Sequence, residues 1–359
     1  MRYGLAGGLG LNLASLLWAR EAVVSSAGSA HGGTLSGAAK IRSCILIFYY
    51  GGPSHIDTFD PKPTAPREVR GEFQTISTSV PGLAICEHLP RLARVMHKVA
   101  IVRSMHHANH LHDSASTEAL TGRQSPNGDR EEAVAGPQYF PSYGATVNYL
   151  LPSASCVTPH AALPFVFHNV VDTQCQGGGF LGKAYDPVQI TVDPERKSYS
   201  IGDLALGPDQ TPSRIDRRRR LLQSFDQHAL PTDSLAAASG SLNRFYDKAY
   251  RLLETSALRR ALDLSEEDPA IRARYGVGGP LPRSGTTVGA ENGYGRAMRG
   301  QNLLLARRLV EAGVPFVNVY DFRQQGQNWD AHSQNFVQHK EFLLPIADRS
   351  LAALIDAPP

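Results

Sequence analysis

Seven apolar residues, Cys44-Ile-Leu-Ile-Phe-Tyr-Tyr50, run without a break and then stop at Gly51-Gly52-Pro53. A strand with no alternation between apolar and polar positions suits burial on both faces, as in a parallel sheet covered by helices. The rest of the chain keeps the rhythm that a parallel sheet needs. Residues 89–98 place Leu89, Leu92, Val95 and Met96 at helical spacing, and residues 99–102 read as a second short strand. Residues 143–150 read as a helix and residues 165–167 as a third strand. Helix signals follow at 217–223, 242–253 and 257–264, and Asp268-Pro269 opens another helical turn. Residues 297–312 form an amphipathic pattern through Leu304, Leu305, Leu309 and Val310, closed by Gly313. Residues 314–320 are the next strand, and a further helix begins at Asp348. The chain is therefore expected to be α/β, as one large domain or two ordinary ones in 359 residues.

Composition narrows the partners. Charged residues are 19% and the formal net charge is +3, so the concentrated basic face of a nucleic-acid binder is not expected. The basic run 217–220 follows Asp216 and reads as the solvated start of a helix. Residues 4–19 carry no charge, Arg2 precedes them, and small residues follow at 25–30. That is the layout of a secretory signal, too short and too glycine-rich for a stable membrane span. With the Gly/Ser-rich stretch 31–40 it makes residues 1–40 a leader and linker ahead of a domain from residue 41 to 359. The location expected is exported, periplasmic or extracellular. Four cysteines, Cys44, Cys86, Cys156 and Cys175, lie far apart, which excludes a C-x-x-C site. Cys44, inside the apolar run, reads as a buried, inert thiol.

Chemistry-bearing residues gather where strands are expected to end, the place where open α/β sheets hold ligands. After Tyr50 come Ser54, His55, Asp57 and Asp60. After Val102 come His106, His107, His110, His112, Asp113 and Ser114. After Tyr320 come Asp321, Arg323, Asp330 and His332. Imidazoles and carboxylates suit zinc, manganese or iron. Three such clusters can converge on one metal ion, or on two that clamp a phosphoryl or sulfuryl group. The glycine-rich loop 177–187 lacks the P-loop ending and the dinucleotide-binding spacing, and reads as a tight structural loop. The chain has neither a G-x-S-x-G elbow nor an H-E-x-x-H motif.

These residues resemble a family. Gly51-Gly-Pro-Ser-His-Ile-Asp57-Thr-Phe-Asp60-Pro-Lys-Pro63, Arg70-Gly-Glu-Phe73, Glu87-His-Leu-Pro-Arg91, His112-Asp-Ser114, Leu120-Thr-Gly122, Gly179-Phe-Leu-Gly182, Arg274-Tyr-Gly276, the stretch 305–313 and Trp329-Asp-Ala-His332 resemble, in order, the large bacterial family called domain of unknown function 1501. The apolar leader resembles the tail of that family's twin-arginine (Tat) signal, although no arginine pair precedes it. The family is similar in fold to alkaline phosphatases and sulfatases. The resemblance thus implies an alkaline-phosphatase-like three-layer α/β sandwich with a mostly parallel sheet. It also implies an exported metal-dependent hydrolase of sulfate or phosphate esters, on a small molecule or a polysaccharide. Leu120-Thr-Gly-Arg-Gln-Ser-Pro126 looks like the segment after a sulfatase nucleophile, but that register places His112 where the modified cysteine or serine would stand. Asp330 and His332 resemble metal ligands of the superfamily.

The expected ligands of a divalent ion (zinc, manganese or calcium) are Asp57, His112, Asp330 and His332. Ser114 and His55 are the expected catalytic residues, and Asp113 with His55 would support the metal or touch substrate. Family members continue past the last helix with a further strand and two motifs, so the sandwich is expected to be incomplete at its C-terminus. The rival expectation is an exported binding protein, or an inactive fragment, that keeps the fold without the chemistry.

Overall fold

The computed structural model describes residues 41–131, 139–151, 158–167, 175–193, 198–201, 255–277, 299–321 and 329–357, with a few positions between 214 and 224. The expected leader, the helix over 242–253, Cys156 and Arg323 lie outside them. Among the described residues no helix is long and apolar enough to cross a membrane.

Cys44–Tyr49 forms β1, as its apolar run requires. The chain then makes the short helix α1, Arg67–Arg70, and a hairpin of β2, Thr75–Ser77, with β3, Ala84–Cys86. Helix α2, Pro90–Val95, follows and tightens into a 3₁₀ turn at Met96–Lys98. Next come α3, His112–Thr121, α4, Tyr143–Leu150, and β4, His160–Leu163. The two-residue strand β5, Val188–Gln189, and the hairpin of β6, Thr191–Asp193, with β7, Ser198–Ser200, complete the middle of the chain. The helices α5, Ser256–Leu262, α6, Pro269–Arg274, and α7, Arg299–Glu311, lead to β8, Phe316–Asp321. Last come α8, Asn335–Gln338, a π-helical turn at His339–Leu343, and α9, Leu344–Ile355.

Four strands build a parallel sheet in the order β1-β8-β4-β5. The fold is mixed α/β, as expected. The central place falls to β8, all six of whose residues are buried. Strand β1 lies at the edge of this sheet among the described residues, and its residues are exposed or only partly buried. Both of its faces are covered, Ile45 and Ile47 on one and Leu46 and Phe48 on the other, but the burial is only partial, because an edge strand has a neighbour on one side only. Cys44 is exposed rather than buried for the same reason.

Each face of the sheet has its own packing. Val317 and Val319 of β8, with Ile45 and Ile47 of β1, meet the leucines of α7, Leu303, Leu304, Leu305 and Leu309. On the alternate positions Tyr320, Leu46 and Phe48 pack with Phe165, Phe167 and Leu120 of α3. Polar residues on this second face are paired: His160 Nε2 lies 3.0 Å from Asn318 Oδ1. Helix α4 crosses close above that pair. A Cβ on Gly144 would meet His160 Nε2 at 2.2 Å, so glycine is needed there. A third cluster joins α2, α9 and Trp329.

Two expected strands are corrected. Residues 99–102 are extended coil with no ladder partner among the described residues. The strand expected over 165–167 lies earlier, at His160–Leu163, because Pro164 follows and cannot donate to a ladder. Helix α9 begins four residues before Asp348, with Pro345 in its first turn. The glycine loop 177–187 is two 3₁₀ turns, Gly179–Leu181 and Lys183–Tyr185. Its Gly178 amide donates to Asp186 Oδ1 at 2.7 Å, so a carboxylate of the chain itself takes the place of an external anion.

Candidate metal centre

Strands β1 and β8 run side by side in the same direction, so the segments that leave them emerge at one end of the sheet. The segment after β8 is pinned there by Trp329. Its backbone amide donates to the Tyr50 carbonyl at 3.1 Å, and its indole Nε1 donates to Asp321 Oδ2 at 2.8 Å. The ring lies against Tyr49, with centroids 4.8 Å apart. Farther along, Gln338 Nε2 donates to the carbonyls of Ala331 at 2.8 Å and Ser333 at 2.6 Å. These anchors hold Asp330 and His332 in place. His332 adopts φ +42°, in the left-handed region that side chains with a Cβ avoid. Such strain persists only where the surroundings over-determine it.

The third member arrives on α3. His112 is the first residue of that helix, and its ring packs against Tyr50 at 5.2 Å between centroids. No side chain of the N-cap residue Leu111 closes the helix start. Asp129 ties down the entry instead, accepting from the amides of His110 at 2.9 Å and Leu111 at 3.1 Å. His112 Nε2 thereby stands 2.9 Å from Asp330 Oδ2, and His332 Nε2 contacts the same oxygen from its other side. Among the described residues, these three side chains form the group whose ligand atoms all lie within 4.8 Å of one another. Two imidazoles and one carboxylate at that spacing are a donor set for a divalent ion. The side chains of His112 and Asp330 are 25% and 20% exposed and that of His332 is 58% exposed, so the cluster is open to solvent on one side.

The other expected site residues lie in other bonds. Asp57 is buried, and its Oδ2 accepts from Asn335 Nδ2 at 3.0 Å. Ser114 is two residues beyond His112 on α3, about 200° around the helix. Its hydroxyl donates to Asp129 Oδ1 at 2.5 Å, with the Leu111 carbonyl at 3.1 Å as the alternative acceptor of the same proton. The hydrogen bond from Ser114, with those from the two amides, holds the Asp129 carboxyl down to about 2. Asp113 is fully buried beside His112 in sequence. His55 is exposed, and its carbonyl accepts from the amides of Thr58 and Asp60 in the turn after β1.

Tyr50 and His339 were not singled out by sequence reasoning. The Tyr50 hydroxyl is buried without a hydrogen-bond partner among the described residues. Burial, reinforced by the nearby carboxylates of Asp113, Glu131 and Asp330, drives its pKa far upward. The signal available in the sequence was its position, last in the apolar run and next to the glycine pair. His339 is buried in the π-helical turn, its Nδ1 2.9 Å from the Asn335 carbonyl, with its ring edge-on to Trp329. Burial lowers its pKa. Turns of this kind are frequent at functional sites.

The fold and this cluster define a class: a parallel-sheet α/β protein with a metal-ligand donor set at the carboxyl end of its strands. Residues 41–357 match the family described as "Protein of unknown function (DUF1501)", and the chain belongs to that family. No curated protein and no solved structure matches it.

Proposed function

We propose that the protein is an exported metal-dependent hydrolase of the alkaline phosphatase and sulfatase type, acting on sulfate or phosphate esters. The observation that carries the reading is the convergence of His112, Asp330 and His332 from two distant parts of the chain. The donor set fits a divalent ion such as zinc or manganese: nitrogen and oxygen ligands, three from the protein, with one side open to solvent. A bound ion would act as a Lewis acid on water or on an ester oxygen.

The chain's own part is positioning. Asp330 orients both imidazoles, Tyr50 supports the His112 ring, and Trp329 fixes the segment that carries the other two groups. The bond from Ser114 to Asp129 or Leu111 favours water over this serine as the nucleophile. The uncharged run 4–19 supports export.

The test has two parts. Metal-depleted protein is titrated calorimetrically with zinc and with manganese, and the loaded protein is assayed on a panel of aryl sulfates and aryl phosphates. One equivalent of metal is expected, with Asp330→Ala weakening binding by about 100-fold or more and abolishing turnover. Wild-type protein that takes up no metal overturns the reading. Metal uptake without turnover of any ester would leave the rival reading, an exported binding protein.

A further inference from the structure

A cavity of about 680 Å³ is lined by Trp329, by Tyr49 at the end of β1 and by residues of α2 and α9. That volume lies in the range of pockets that enclose small ligands. Its apolar lining includes the paired rings of Tyr49 and Trp329, then Leu89 just before α2, Leu92 of α2 and Leu344 of α9. Its mouth is lined by the extended segment after α2, where Val102 and Met105 are 64% and 79% exposed. Large apolar side chains left in water at the entrance of an apolar cavity lower their free energy when a further apolar body covers them.

The same cavity carries a charge arrangement. Asp60 accepts from Lys62 Nζ at 2.5 Å, and its other oxygen lies 3.1 Å from Arg103 Nε. All three residues line the cavity with His55. Lys62 holds the Asp60 carboxyl below the usual carboxylate range. One carboxylate thus faces two cations, leaving an excess of one positive charge. Both cationic side chains are about half exposed, at 45% and 46%. The guanidinium uses Nε toward Asp60 and has further donors to offer.

We propose that this cavity binds a single-chain anionic amphiphile, with its aliphatic body against Trp329 and the leucines and its anionic head at Arg103 and Lys62. Apolar walls with a few polar groups that fix orientation are the general design of small-molecule sites. An uncharged amphiphile would fill the walls equally but leave the surplus charge unmatched. This inference does not depend on the metal reading, because none of the three metal-type ligands lines the cavity.

The reporter is built in. The chain has two tryptophans, Trp18 and Trp329, so Trp18→Phe leaves Trp329 as the only indole. Its fluorescence is followed in the full chain, with chelator present, during titration with decyl sulfate and with decan-1-ol at concentrations below micelle formation. Saturable binding at one molecule per chain is expected for decyl sulfate, with decan-1-ol weaker by about tenfold or more. Arg103→Ala, a change at a half-exposed position, should reduce the sulfate's affinity to that of the alcohol and leave the alcohol unchanged. Ala347→Phe, which fills the floor of the cavity, should remove the response to both. Non-saturable binding, equal affinity for sulfate and alcohol, or indifference to Arg103→Ala overturns the proposal. Because chelator is present throughout, failure here leaves the hydrolase reading standing, and failure of that reading leaves this result intact.

Discussion

At the residue scale, two buried groups make the site testable without a substrate. The Tyr50 ring supports His112, while its hydroxyl has no partner among the described residues. An unsatisfied buried hydroxyl costs about 1–3 kcal/mol, so removing it while keeping the ring should not destabilise the protein. Tyr50→Phe is expected to match or exceed the wild type in urea denaturation, whereas Tyr50→Ala should lose about 3–5 kcal/mol as a large aromatic truncation does. A clear loss in Tyr50→Phe would show that the hydroxyl has a partner after all. His339 gives a pH prediction. Its folded pKa is depressed, chiefly by burial and despite the nearby Asp57 carboxylate, below the ordinary value of 6.5. As pH falls below 6.5 the unfolded chain takes up a proton that the folded chain refuses, so stability declines toward the folded pKa and is level above that window. Denaturation at pH 7 and pH 5 should show a smaller loss in His339→Gln than in the wild type; equal losses would assign the acid sensitivity elsewhere.

At the scale of elements, α2 depends on a residue more than 250 positions away. Its N-cap residue, Leu89, supplies no side-chain acceptor. The free amides of Arg91 and Leu92 donate instead to Asp348 on α9, at 3.0 and 2.8 Å from its Oδ1. The first amides of a helix need such an acceptor, and hydrogen bonds to a charged group are worth about 1.5–3 kcal/mol. Asp348→Ala should therefore cost about 2 kcal/mol in thermal or urea denaturation, and a neutral result would mean that water replaces the carboxylate at α2. This contact also shows why some elements were legible in the sequence and others were not. The amphipathic spacing of α7 and the apolar run of β1 are local signals, and both elements lie where those signals place them. Helix α3 was not legible, because it buries Asp113, Ser114, Ser116 and Thr117 rather than an apolar stripe. Residues 99–102 have a strand's composition, but a strand also needs a partner, and composition carries no information about one. Asp330 and His332 were readable as ligand types beyond the end of β8, whereas His112 was readable only as one of several histidines over 106–112, because the strand expected before them at 99–102 does not form. That Asp57 bonds to Asn335 instead was not readable, because it depends on how the chain after β8 folds back.

At the scale of the whole molecule, metal binding and folding stability are linked. His112 and Asp330 are 218 residues apart in sequence, one at the start of α3 and the other on the segment after β8. The unfolded chain holds no such donor set together, so an ion that binds the cluster binds the folded state alone. At a free concentration of about 100 times the dissociation constant, it adds roughly 2.7 kcal/mol to stability. For a domain of this size, that corresponds to a rise of several degrees in the melting temperature. The rise should follow the logarithm of metal concentration, vanish with a chelator, and be absent in Asp330→Ala. Mutating His332 tests a second point. His332→Gly removes one ligand but also relieves a left-handed backbone position, so its metal-free form should melt at or above the wild type while its metal-dependent rise is lost. Opposite signs for the two effects in one variant separate loss of a ligand from general damage. A metal-dependent rise that survives in both Asp330→Ala and His332→Gly would place the ion away from this cluster, and the hydrolase reading would lose the observation on which it stands.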